Sequence, residues 1–86
     1  MDIDNLIKNI KIKLIEKSYI QNVVIEDKTF LHLKHATHNK DKFHLKITIF
    51  SDELKIINNI DATKRINNIL KSEIENYIHS IQILFK

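Results

Sequence analysis

The chain contains no cysteine, no glycine and no proline. Without cysteine it can form no disulfide, offers no thiol nucleophile, and supplies no thiolate to a metal or iron–sulfur centre. Any metal would have to be held by histidine, by carboxylate, or by ligands from a second molecule. Without glycine, the P-loop and the dinucleotide fingerprint are both excluded, because each needs a Gly-rich loop around phosphate. The G-x-x-G clamp used by one class of nucleic-acid-binding domain is excluded on the same ground. Turns fall to Asn, Asp, Ser and Lys, and Asn and Asp are expected to take any left-handed positions. No apolar run is long enough to span a bilayer. The first residues, Met1-Asp2-Ile3-Asp4, are acidic and lack the basic start and apolar stretch of a signal peptide. The expectation is an intracellular, cytoplasmic protein.

What is present describes a small globular unit. The chain has 86 residues, 43% of them hydrophobic, with a formal net charge of +3. That length fits one domain with a modest core, which leaves little room for a deep enclosed active site. A pI near 9.2 is compatible with nucleic acid or an acidic protein partner and demands neither.

The hydrophobic pattern yields an element order. Ile3, Leu6, Ile7, Ile10 and Leu14 form one stripe at helical spacing, so a helix is expected over about 4–17, with Asp2 and Asp4 at its N-terminal end. Ile12 points away from that stripe, as a lone exposed apolar side chain would. Residues 20–27 are β-branched and read as a strand. Residues 43–51 alternate with period two, Phe43, Leu45, Ile47 and Ile49 on one face and His44, Lys46, Thr48 and Phe50 on the other. Ser51-Asp52 can cap a helical piece near 53–58, and a second helix is expected over 61–76 after a break at Asn58-Asn59. Its Ala62, Ile66, Ile69, Leu70 and Tyr77 share a face, opposite Lys64, Asn68, Lys71 and Glu75. A last strand covers 78–85, with His79 on the parity of Ile81, Ile83 and Phe85, as a hydrogen-bonded histidine at the edge of the core. The result is an α+β domain of order α-β-β-α-α-β, with helices packed on one face of a small sheet.

Three groups of residues carry chemistry. His32, His35, His38 and His44 crowd together, and H-x-x-H-x-x-H is a permissive metal spacing in a loop. Its bland alternative is a solvated, His-rich loop. With no cysteine in the chain, His35 and His38 are the candidate ligands, with thiolates from a partner. Lys64, Arg65, Asn68 and Lys71 form a polar, largely basic helix face, and Lys46 lies on the non-core face of the central strand. These residues suit contact with phosphates or with a protein partner, although an ordinary solvated face has the same composition. Ser51 and Asp52 beside His44 do not make a catalytic triad, because adjacent side chains diverge and no oxyanion loop is recognisable. The expectation is a binding module and not an enzyme.

Several strings resemble the BolA family. Lys34-His35-Ala36-Thr37-His38 is similar to the family's K-H-A-G-H loop. His44 to Asp52, H-L-K-I-T-I-F-S-D, is similar to its H-F-K-V-V-V-V-S-D strand. Arg65 and Asn68 fit its R-H-R-x-x-N helix, and Ile78-His79-Ser80-Ile81 resembles its I-H-A-L strand. The resemblance implies one BolA-like domain over residues 1–86, with a class II KH-like fold and a three-stranded mixed sheet. It implies a non-enzymatic accessory protein that binds a monothiol glutaredoxin, shares a 2Fe–2S cluster with it, and serves iron–sulfur cluster assembly or iron signalling. The isolated chain would hold no cofactor. The alternative it implies is a DNA-binding transcriptional regulator of cell shape and stress response. In the cluster role the family uses a loop Cys or His and the histidine of R-H-R. Here that helix position is Lys64, whose ammonium has no lone pair for iron, and the family's F-x-G ahead of the helix is missing.

Overall fold

The computed structural model describes residues 2–29 and 42–86. The elements run α1 (Ile3–Ile15), β1 (Asn22–Asp27), β2 (Phe43–Phe50), α2 (Asp52–Ile56), α3 (Asn59–Ile69), α4 (Lys71–Tyr77) and β3 (Ile78–Phe85). The sheet has the order β1-β2-β3. β1 is antiparallel to β2 and β3 is parallel to it. A parallel neighbour requires a crossover, and α2, α3 and α4 supply it.

The helices start where the sequence provides acceptors for their first N–H groups. The Asp2 carboxylate accepts from the Asn5 N–H at 2.9 Å, and Asp4 adds negative charge to the first turn of α1. Ser51 Oγ accepts from the Leu54 N–H at 3.0 Å and donates to the Tyr19 carbonyl. Gln21 Oε1 accepts from the Asp52 N–H at 3.0 Å. Asn58 Oδ1 caps α3 through the Ile60 N–H at 2.7 Å. No described residue has a positive φ. Among the described residues no Asn or Asp is left-handed, and the described turns are built from right-handed and extended backbone.

One face of the sheet carries the core. Leu45, Ile47 and Ile49 of β2 pack with Leu6, Ile10 and Leu14 of α1 and with Ala62, Ile66 and Leu70 from the crossover, all of them buried. As expected, Ile12 lies off this stripe and is exposed. The helix expected over 61–76 is two helices, because Leu70, at φ −101° and ψ 17°, ends α3 and precedes α4. Leu70 stays fully buried and its N–H still reaches the Ile66 carbonyl at 3.0 Å. Its apolar spacing from Ile66 is unbroken, so periodicity alone cannot reveal the bend. In the first turn of α4, Glu73 meets Lys13 of α1, with Nζ–O distances of 2.9 and 2.6 Å. That pair ties the first helix to the last.

The opposite face of the sheet is divided by register. One row is Val24, Thr48 and Leu84; the next is Glu26, Lys46 and Gln82; the last pairs His44 with Ser80. His44 and Thr48 lie on this non-core face yet are only 5% and 8% exposed. Both sit on the middle strand, between β1 and β3. No helix among the described residues is long and apolar enough to cross a membrane.

The buried centre of β2 sets a stability test. Ile47→Ala is expected to cost about 2–5 kcal/mol, and Ile12→Ala about 0.5 kcal/mol or less. Urea denaturation with an unchanged m-value is the check.

Candidate functional site

The sheet end nearest His44 is held by a short polar network. The Asp27 carboxylate accepts from both the N–H and the hydroxyl of Thr29. Thr29 Oγ1 in turn accepts from the His44 N–H at 3.1 Å. The Lys28 N–H donates to the His44 carbonyl at 2.8 Å. Both backbone groups of His44 are thus bonded to the residues that follow β1, and its Nδ1 lies 2.6 Å from Ser80 Oγ on β3.

β3 carries a bulge here. Phe43 pairs with Ile78 and His44 with Ser80, so His79 is the extra residue between two paired positions. Bulges re-aim side chains. The parity reading, which put His79 at the edge of the core beside Ile81, is corrected by this extra residue. Ile78 is buried in the core, while His79 is exposed. Its ring stands 4.9 Å from the His44 ring, tilted by 54°. A signal existed in the sequence: two core positions, Ile78 and Ile81, lie three apart within a strand whose period is two.

The result is an exposed imidazole supported by a buried one. His79 presents a ring suited to a metal, and His44, held by Ser80, backs it. Among the described residues no cluster of three or more His, Asp or Glu could hold an ion unaided. The candidate ligands His35 and His38 lie outside the described residues. The segment that bears them is joined to the described chain at Thr29 and Lys42, the two residues flanking this sheet end. Lys42 is fastened to α4 through Nζ, which donates to the Glu75 carbonyl at 3.2 Å.

The basic residues do not form one surface. Lys46 alternates with the core residues Leu45 and Ile47, so it belongs to the sheet face away from the helices, 3.9 Å from Glu26. Lys64, Asn68 and Lys71 are exposed in the helical layer. Arg65 is committed to structure: it pairs with Glu53 at 2.8 Å and its guanidinium lies 5.4 Å from the centre of the Tyr19 ring. Ser51 is buried as a helix cap.

The family model for BolA-like protein matches residues 14–86. Among solved structures, the fold is similar to BolA1 and to the BolA domain of SufE1, both from Arabidopsis thaliana. Each has a TM-score of 0.74 and 23% identity, over 92% of this chain and 87% of the other. At that identity the likeness speaks for the fold. No curated protein matches the chain.

The two-histidine arrangement makes a direct prediction. Ser80→Ala removes the hydroxyl that holds the buried His44 ring. It is expected to lower stability by about 1–2 kcal/mol and to shift the ring resonances of both His44 and His79. Lys64→Ala, on the exposed side of α3, is expected to leave both unchanged. Denaturation and long-range proton–nitrogen spectra of the imidazoles provide the check.

Proposed function

The chain belongs to the BolA-like family, and on that premise we propose that it is a non-catalytic accessory protein. It docks on a monothiol glutaredoxin and lends imidazole to a 2Fe–2S cluster carried between the two proteins, in cluster assembly or iron signalling. The observation that supports this reading is the exposed His79 ring, lifted from β3 by the bulge and backed by His44. The segment bearing His35 and His38 joins the described chain at Thr29, which is bonded to the His44 N–H, and at Lys42, two residues before His44.

The donor set fits a shared cluster and not a private one. A 2Fe–2S cluster needs four ligands, and imidazole can replace thiolate on one iron. This chain has no thiolate to give, so the partner would supply sulfur. His79 with His35 or His38 would supply one or two nitrogens. This assignment answers the substitution at Lys64, because the ligand lost from the helix has an alternative on β3. Lys64, Asn68 and Lys71 remain free to meet the partner through charge, which orients docking more than it adds affinity.

The test mixes the purified protein with a cluster-loaded monothiol glutaredoxin and records visible absorption and circular dichroism. A changed spectrum is expected, lost in His79→Ala and in the His35→Ala/His38→Ala pair, and kept in Lys64→Ala. Absence of a complex contradicts the proposal. A complex whose spectrum stays that of the glutaredoxin alone means docking without cluster sharing, and contradicts the ligand assignment.

A further inference from the structure

Beside the histidine pair, the open face of the sheet carries a cavity of about 310 Å³. Its polar lining is Lys28, His44, Lys46, Ser80 and Gln82, with Leu45 and Ile81 completing it. The register explains the assembly. Lys46 and Gln82 are cross-strand neighbours, and His44 and Ser80 form the adjacent row. Lys28 is held there by its backbone bond to the His44 carbonyl.

The lining residues carry hydrogen-bond donors: Lys28 and Lys46 end in ammonium groups, Ser80 in a hydroxyl and Gln82 in a carboxamide, and no carboxylate is among the described lining residues. Glu26 lies within 3.4 Å of Lys28 and 3.9 Å of Lys46. Those separations exceed the 2.6 Å of Lys13–Glu73 and the 2.8 Å of Arg65–Glu53. One loosely held carboxylate for two ammonium groups leaves a positive charge over. The Ser80 hydroxyl has one proton and two lone pairs.

We propose that this cavity binds a small phosphate-bearing molecule. A phosphate monoester carries close to two negative charges and three acceptor oxygens, which match two ammonium groups and the neighbouring hydroxyl or amide. Charge-assisted bonds of this kind are the strong ones. The volume exceeds that of a bare phosphate and sits at the lower end of small-molecule sites, so it leaves space for an organic group along the strand backbone. His79 is not a described lining residue of the cavity, although His44, which backs it, is, and phosphate binding here requires neither glutaredoxin nor cluster.

The test titrates the ¹⁵N-labelled full chain with inorganic phosphate and with phenyl phosphate at low salt. Saturable shifts are expected at the amides of Lys28, Lys46, Ser80 and Gln82, with phenyl phosphate the tighter of the two. Lys28→Ala and Lys46→Ala are each expected to weaken binding about tenfold. Glu26→Gln is expected to strengthen it severalfold, a gain that misfolding cannot mimic. Shifts that do not saturate overturn the proposal. So do shifts as large at Lys64 and Lys71 as at the cavity, or an affinity that the lysine and Glu26 variants leave unchanged.

Discussion

The parallel pairing of β2 with β3, and the single residue by which its register slips, is the constraint on which the functional end of the molecule depends. From Leu45–Ile81 to Ile49–Phe85 the ladder is regular and its side chains complete the core. At the start of the strand the core is met by Ile78 instead, three residues before Ile81. Both isoleucines can face inward only if one residue between them is left out of the ladder. That residue is His79. An apolar requirement at the core thus forces a polar side chain outward, against His44 and toward solvent.

The rest of the described fold anchors that end. His44 is anchored through its backbone to Lys28 and Thr29 and through its ring to Ser80. The helices that cover the opposite face are tied together by Lys13 and Glu73. A chain without glycine or proline achieves this with side-chain caps from Asp2, Ser51 and Asn58 and with no positive φ among the described residues. The absence of glycine therefore costs the described turns nothing in strain.

Much of this was legible in the residues. Period-two alternation located β2 and β3, helical spacing located α1, and the strings at the loop and central strand pointed to the BolA-like family that the family model also matches. Three features were not legible, for physical reasons. The bend at Leu70 leaves the apolar spacing intact. The burial of His44 and Thr48 on the non-core face of the middle strand is invisible to alternation, which separates the two faces but does not say how far each is covered. The exposure of His79 depends on a bulge, and a simple alternation rule carries it to the wrong face. The sequence reading also grouped Lys46 with Lys64 and Lys71, whereas the sheet separates them. His35 and His38 lie outside the described residues.

The central claim is that His79 donates nitrogen to iron in a complex whose sulfur comes from elsewhere. The most direct measurement is pulsed electron paramagnetic resonance of the reduced complex, with this chain's histidines labelled with ¹⁵N and the partner unlabelled. The account predicts a strong ¹⁵N hyperfine coupling that is diminished or lost in His79→Ala. A reduced cluster without a strong ¹⁵N coupling, or one whose coupling is unchanged in His79→Ala, would contradict it.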